Sequence, residues 1–338
     1  MIRYAIISCW HVHVRTFVPA IREAGNAELV VIWDSDAERG RMWAERYGVP
    51  FEPDLDKVLA RDDIQAVLLE CATTERKDLL PICARAGKHI FTDKALDLTP
   101  EGCLELKKIC LENNVKLCVA HEYLCASAYR FAKEMIDSGK IGRLASVYFR
   151  RVHDGALPRA DWLPPYWYDE SQTGGGACLD LGCHGFYLLD YFCGKPKRAA
   201  CIMTQPMGTG MDENVTSVFE FDNGVIGTAH TSFLASYMNN TLEIIGSEGV
   251  ILVTGLEEYE YEVRMQSNLI PEYSKGLTKV EGFSKYGLKF APVQFFDWLN
   301  SGASDMTMDE FSPDRASATV NLINLSYESD RTSRIVDC

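Results

Sequence analysis

Tyr4-Ala5-Ile6-Ile7-Ser8-Cys9-Trp10-His11-Val12-His13, with its continuation to Asp34, is the stretch that decides the fold. An apolar run at 4–8 enters a loop, and a helical pattern at 16–24 follows and stops at Gly25. A second apolar run at 29–33 then ends in Asp34. Strand, loop, helix and strand in this order open a dinucleotide-binding βαβ unit. The alternation continues with a helix at 37–47 closed by Gly48, a strand at 64–70, and a helix at 76–86 ending at Gly87. A strand at 89–92, a helix at 100–113 with Pro100 in its first turn, and a strand at 116–120 complete it. Such alternation implies right-handed crossovers, a parallel sheet with helices on both faces, and ligands at the carboxyl ends of the strands.

After about Ala126 the pattern changes. One helix at 129–138 ends at Gly139, and alternating strands follow at 144–152, 215–221, 225–231, 242–245 and 250–253. Phe221-Asp-Asn-Gly224-Val225 reads as a hairpin turn. This half is expected to form a large open mixed or antiparallel sheet, with helices at 185–192, 292–299 and 313–327. The fold class is therefore α/β, with a Rossmann domain over 1–124 and a substrate-binding and oligomerisation domain over 125–338. The loop at 154–176 is long enough to suggest function.

Composition narrows the partners. The chain has 338 residues, 47% hydrophobic and 24% charged, with a formal charge of −14. That length exceeds what one core usually supports. So acidic a chain repels phosphate backbones and anionic lipid, which argues against nucleic acid and membranes as partners. The twelve cysteines contain no CxxC pair and lie mostly in apolar runs, so they read as reduced core thiols of a cytoplasmic protein. Neither a secretory signal nor a membrane-spanning run is apparent in the sequence.

The nucleotide loop departs from the GxGxxG pattern: Ser8, Trp10 and His13 stand at the three glycine positions. Those glycines normally make the tight turn, admit the pyrophosphate to the backbone, and let helix and strand pack closely. Two readings follow. The loop takes another path and the helix N-terminus still faces the pyrophosphate, with Ser8, Trp10, His11, Val12 and His13 around the cofactor; or the cofactor binds poorly and the scaffold has been diverted. Asp34 favours the first, since a carboxylate there can accept the adenosine ribose hydroxyls. Asp36 follows closely, and two carboxylates repel a 2′-phosphate, so NAD is preferred over NADP. Either aspartate can instead cap the helix at 37–47.

Three landmarks then align with one family: the nucleotide loop with its acid, Gly87-Lys-His-Ile-Phe-Thr-Asp93-Lys94-Ala95, and Gly174-Gly-Gly-Ala-Cys-Leu-Asp180-Leu-Gly-Cys-His184. Together they resemble the Gfo/Idh/MocA family, the relatives of glucose–fructose oxidoreductase and inositol dehydrogenase, over essentially the whole chain. The resemblance implies a Rossmann domain, a second domain with a large open sheet, and NAD(P)-dependent oxidation or reduction of a sugar or polyol. It places Thr73 and Thr74 near the nicotinamide ribose, where their alternative is helix capping. Asp93-Lys94-Ala95 replaces the family's Glu-Lys-Pro, and the family sometimes has a cis bond at that proline. Lys94 would contact the nicotinamide ribose and stabilise a developing alkoxide.

Asp180 and His184 are four residues apart, so both can face one cleft. Histidine suits proton transfer near neutral pH, with Asp180 as its orienting partner. The other histidines also gather in segments expected around an interdomain cleft: His11, His13, His121 beside Glu122 and Tyr123, and His153 beside Asp154. These can bind sugar hydroxyls, and Trp162, Tyr166, Trp167 and Tyr168 offer flat faces to a sugar ring. A divalent metal is possible at such residues, but no spacing specifies a metal site and none is assigned. His89 and His230 read as structural.

The expected activity is an NAD-dependent dehydrogenase acting on a secondary CH–OH group of a sugar, polyol or glycoside, with Lys94, Asp180 and His184 as the chemical groups. Two alternatives stay open: a redox-neutral cleavage of glycosides through a transient keto sugar, and a cofactor-poor metal- or ligand-binding relative. A homodimer or homotetramer is expected from the open face of the second sheet.

Overall fold

The apolar start of the chain forms β1 (Ile2–Ile7), in which Tyr4, Ala5, Ile6 and Ile7 are buried. The computed structural model describes residues 1–160, 162–236, 239–255 and 260–338. After β1 come α1 (Val14–Ala24), β2 (Ala27–Trp33), α2 (Ala37–Tyr47), α3 (Leu55–Leu59), β3 (Ala66–Leu69), α4 (Arg76–Arg85), β4 (His89–Thr92), α5 (Pro100–Glu112) and β5 (Leu117–Val119). The five strands pair in parallel in the order β2-β1-β3-β4-β5. The order reverses between β1 and β3, so the loops leaving those two strands flank the topological switch point.

Local sequence accounts for these elements. Helix α1 buries Val14, Phe17, Val18 and Ile21, the spacing of a single helical face. Asp36 caps α2, its carboxylate accepting the N–H groups of Glu38 and Arg39. Thr99 caps α5 through the Gly102 N–H, and Pro100 sits in the first turn.

The chain divides into two compact units. The first comprises Met1–His121, Ser171–Thr173 and Lys289–Ser317. A division at 124 leaves α10 (Ala291–Ser301) with the later part of the sequence, yet in space it closes the core of the first unit. Phe296 packs on Tyr4 with ring centroids 4.9 Å apart, and Phe295 on Phe91 at 5.8 Å. Asn26 donates to the Val293 carbonyl at 2.8 Å, fixing the helix to the α1–β2 turn.

The second unit comprises Glu122–Glu170, Gly174–Leu288 and Ala318–Cys338. Its sheet has nine strands in the order β13-β12-β11-β10-β6-β9-β8-β7-β14. They are β6 (Leu144–Val152), β7 (Pro196–Thr204), β8 (Asn214–Phe221), β9 (Ile226–Ser232), β10 (Asn239–Gly246), β11 (Gly249–Gly255), β12 (Tyr261–Ser267), β13 (Thr278–Lys279) and β14 (Val336–Asp337). Among the described residues of this sheet, β6 and β9 alone pair in parallel, so the sheet is mixed. The hairpin between β8 and β9 closes as read from sequence, with the Phe221 N–H donating to the Val225 carbonyl at 2.9 Å. Strands β7 and β12 were not legible in the sequence; β7 buries only a minority of its residues, so its apolar signal is weak.

Helix α6 (Ser127–Asp137) precedes β6, and two short helices, α7 (Glu170–Thr173) and α8 (Ala177–Asp180), precede α9 (Gly182–Cys193), which buries ten of its twelve residues. The C-terminal helix is α11 (Pro313–Thr332). No helix among the described residues is long and apolar enough to cross a membrane. All twelve cysteines are free, ten of them buried.

Candidate functional site

The nucleotide loop, built from Ser8 to His13, solves the loss of its glycines locally. Ser8 holds φ of 65°, the left-handed conformation that the first glycine ordinarily supplies. Its hydroxyl accepts the Trp10 N–H at 3.3 Å, offsetting part of the cost of that backbone. The Trp10 ring is buried, and its Nε1 donates to Gln172 Oε1 at 2.8 Å. The loop amides are largely committed, two of them to the ends of neighbouring strands: Cys9 N–H to Asp34 at 2.7 Å, His11 N–H to the Glu70 carbonyl at 2.9 Å, and His13 N–H to His11 Nδ1 at 3.2 Å. Val12 and His13, half-buried at the entrance of α1, are the part of the loop that reaches solvent.

Asp34 is not the helix cap, since Asp36 fills that role. Its carboxylate accepts the Cys9 and Asp36 N–H groups and a two-pronged contact from Arg39, Nε at 2.9 Å and Nη2 at 2.6 Å. Arg39 escaped the sequence reading, although its position one turn into α2 places it beside the strand end. The pair sits where an adenosine ribose is bound in Rossmann domains, which fits a nicotinamide dinucleotide.

Beyond β4, Asp93 gathers the loop histidines. Its Oδ2 lies 2.7 Å from His13 Nδ1 and 3.0 Å from His11 Nδ1, while its Oδ1 accepts the Lys94 N–H at 2.8 Å. Asp93 is fully buried, which alone would raise its pKa, but the two imidazoles outweigh burial and hold it well below the usual carboxylate range. Burial pushes His11 down to about 4, with His13 and Lys94 adding to the effect and Asp93 opposing it. Lys94 is buried, and the Lys94–Ala95 peptide is cis although alanine replaces proline. Arg76, also missed in the sequence, is fully buried and donates to the Ala95 carbonyl and to that of Cys71 at 3.2 Å. It thereby ties the loop after β4 to the loop after β3.

Thr73 and Thr74 begin a short 3₁₀ turn and cap nothing with their side chains. The Thr74 hydroxyl instead points at the carbonyls of Ser171 and Gln172, each at 3.0 Å. His121 is buried in the first unit with its Nδ1 3.0 Å from the Glu310 carbonyl. That contact places the ring proton on Nδ1. Burial, reinforced by Arg315, pulls its pKa down to about 3. The unfolded chain therefore binds a proton below about pH 6.5 that the folded chain refuses until pH falls to about 3. Stability is expected to fall across that window as pH drops, by up to about 1.4 kcal/mol per unit from this group. Urea midpoints between pH 7 and 4 should show a shallower slope in His121→Gln than in the wild type.

In the second unit the glycine run before Asp180 has a packing role. A Cβ on Gly176 would stand 2.2 Å from the Asp212 carbonyl, and one on Gly175 would stand 2.4 Å from Tyr327 Oη. Asp212 uses this proximity to accept the N–H groups of Gly176 at 3.0 Å and Cys178 at 2.6 Å and the Tyr327 hydroxyl at 2.8 Å. It thus caps α8, the helix that ends at Asp180. Asp212 carried no sequence signal, because its partners lie 34 to 115 residues away.

Asp180 and His184 fall on successive helices with Leu181 between them. Asp180 Oδ2 accepts from Trp167 Nε1 at 3.4 Å. His184 is buried, its Nδ1 is 2.9 Å from Tyr187 Oη, and its ring packs on Tyr123 at 4.7 Å. Tyr187 Oη also accepts the Tyr123 N–H at 3.2 Å. Burial first, then Glu122 and Tyr123, keep the Tyr187 phenol far above its ordinary pKa, so it stays neutral. The Tyr123 hydroxyl accepts from Asn240 Nδ2 at 2.9 Å, and Asn240 Oδ1 accepts from Arg151 at 3.0 Å. Tyr123 and His184 thus belong to one polar cluster of the second unit, to which Tyr187, Asn240 and Arg151 are additions, and the Glu122 charge acts on Tyr187.

His153, Asp154 and Trp162 form a separate group that organises the long loop. His153 Nδ1 accepts the Gly155 N–H at 2.9 Å, its ring stacks on Phe233 at 4.8 Å, and Trp162 donates to Asp154 at 3.0 Å. Tyr168 donates to the Gly155 carbonyl. His89 accepts the Lys116 N–H at 3.1 Å, and His230 lies 2.9 Å from Thr216 Oγ1 across the β8–β9 pair, as structural histidines do.

Comparison with known proteins agrees with both halves of this description. Residues 2–121 match the family model "Oxidoreductase family, NAD-binding Rossmann fold", and residues 129–252 match "GFO/IDH/MocA C-terminal domain". The chain is 26% identical over 261 residues to a 1,5-anhydro-D-fructose reductase of Ensifer adhaerens, covering 75% of each chain. It is 24% identical over 251 residues to an inositol 2-dehydrogenase of Rhizobium meliloti, covering 72% of this chain and 73% of the relative. A levoglucosan dehydrogenase in complex with NADH and levoglucosan shares the fold with a TM-score of 0.85 at 20% identity over 99% of both chains. With a parallel sheet that matches the family's nucleotide-binding domain and a mixed sheet that matches its second domain, the chain belongs to the GFO/IDH/MocA family of oxidoreductases.

Proposed function

We propose that this protein is an NAD-dependent oxidoreductase that moves hydride to or from a secondary hydroxyl or carbonyl of a sugar, polyol or glycoside. The observation that carries the reading is the family match of both halves of the chain, with Lys94 directly after β4 and His184 in the first turn of α9. Bound NAD would supply the hydride acceptor. Asp34 would hold the adenosine ribose, with Arg39 releasing one of its two contacts, and the entrance of α1 at Val12 and His13 would meet the pyrophosphate.

The remaining steps belong to side chains. A His184 proton on Nδ1, donated to Tyr187 Oη, puts the lone pair on Nε2, where it can take the hydroxyl proton of a carbinol. The neutral phenol orients the ring in the way a carboxylate does in a catalytic triad. Asp180, four residues earlier, adds negative charge that favours the imidazolium. The Lys94 ammonium would stabilise alkoxide character as the proton leaves. Thr73 and Thr74 would approach the nicotinamide ribose. Glu122, Tyr123 and His121 would line the substrate, with His153, Asp154, Trp162 and Trp167 shaping the loop beside it.

The same reading includes a homo-oligomer in the cytoplasm. Tyr148, Ile202, Val218, Ile226 and Ile245 are exposed apolar residues on strands of the nine-stranded sheet, and ten buried free thiols suit a reducing compartment.

Thermal unfolding with added nucleotide tests the cofactor. NAD at about 100 times its Kd should stabilise the folded state by about 2.7 kcal/mol, with a smaller effect from NADP. Absence of any rise in Tm at millimolar NAD would refute the reading. Appearance of reduced nicotinamide with a panel of hexoses, anhydro sugars and inositols then identifies the substrate.

A further inference from the structure

We propose that His11, His13 and Asp93 form a binding site for one divalent transition-metal ion of the zinc, cobalt or nickel class. One ligand atom from each residue lies within 4.8 Å of the other two. The two Nδ1 atoms converge on a single carboxylate oxygen, Asp93 Oδ2, at 2.7 and 3.0 Å. The imidazole rings are 4.4 Å apart, edge on face.

Hydrogen bonding alone leaves this arrangement in conflict. His11 Nδ1 receives the His13 N–H at 3.2 Å and faces Asp93 Oδ2 at 3.0 Å. With a proton on Nδ1, the His13 amide points at another N–H. Without one, the lone pair meets a carboxylate oxygen. A cation bound to both Nδ1 and Oδ2 removes the second clash and needs no proton on the ring, while the His13 N–H gives up Nδ1 as its acceptor.

The geometry is close to what such an ion needs. Ligands about 2.0–2.2 Å from a tetrahedral centre stand roughly 3.3 Å from one another, so each Nδ1 has to draw back from Asp93 Oδ2 by about 0.3–0.6 Å. Asp93 Oδ1, engaged by the Lys94 N–H, fixes the carboxylate from behind, the kind of outer contact that orients metal ligands. His13, with 18% of its side chain exposed, provides the way in, since Asp93 and His11 are nearly closed to solvent. Two imidazoles and one carboxylate select borderline ions over magnesium and calcium, and the nearby Lys94 ammonium disfavours hard ions held by charge alone.

The site shares His13 with the proposed pyrophosphate contact, so it is tested without nucleotide. Full-length protein stripped with a chelator is titrated with Co²⁺ alone, following its visible d–d bands, and then with Zn²⁺. One Co²⁺ per chain, displaced by Zn²⁺, is expected in the wild type. His13→Gln and Asp93→Asn should weaken binding by at least about 10–100-fold, the loss that follows even from removing a ligand-orienting contact. His13 lies on a half-exposed loop, so His13→Gln answers the question if Asp93→Asn fails to fold. No d–d bands and no retained Zn²⁺ on dialysis would overturn the proposal, as would undiminished affinity in His13→Gln. A failure here leaves NAD-induced stabilisation untouched, and a failure of that stabilisation leaves metal binding untouched.

Discussion

His184→Ala is expected to lower kcat by about 10²–10⁴, the contribution of a well-placed general acid or base. The expectation rests on burial and on the Tyr187 contact, which together hold one ring orientation and one nitrogen for proton transfer. KM should change much less, because the loss is felt as the proton moves rather than when substrate binds. The check is steady-state and single-turnover nicotinamide reduction with a substrate from the sugar panel. The wild-type pH–rate profile should fall on the acid side as the base protonates, and that limb should vanish in the variant. A variant that keeps more than about a tenth of kcat removes His184 from the proton transfer.

Lys94→Met is expected to lower kcat by about 10²–10³, the usual loss when a group that stabilises developing oxyanion charge is removed. Methionine keeps most of the buried stem, so the change isolates the ammonium. NAD-induced stabilisation should persist in this variant. If stabilisation disappears with activity, Lys94 acts in cofactor binding and not on the reacting hydroxyl. The adjacent Asp93 keeps its two histidines in either case, so the loop before α1 should remain folded, which circular dichroism verifies.

Much of the architecture was legible because it is written at short range. The helix at Ala37–Tyr47, marked by its cap, and the strands at His89–Thr92 and Leu144–Val152 coincide with their sequence patterns. The His184–Tyr187 contact also follows from spacing, since residues three apart share a helix face. The glycine run at Gly174, Gly175 and Gly176 was conspicuous in sequence, but its reason was not. Its need for space comes from Asp212 and Tyr327, far along the chain.

The sequence by itself determined the alternation of strands and helices in the first half of the chain and the two kinds of sheet, and it singled out Lys94, Asp180 and His184 as candidates. Those depend on periodicity, capping and local motif, which act within a few residues. Tertiary structure alone decided that Asp36 caps α2 while Asp34 pairs with Arg39, and that α10 closes the core of the parallel sheet. It also brought Asp93 to His13, 80 residues away, and to His11 beside it. The glycine-less loop that looked like a damaged nucleotide site is a hydrogen-bonded turn, with Ser8 in the left-handed region and its histidines converged on one carboxylate. Side chains from separate segments meet only when the chain has folded, and no spacing rule encodes the distance between them.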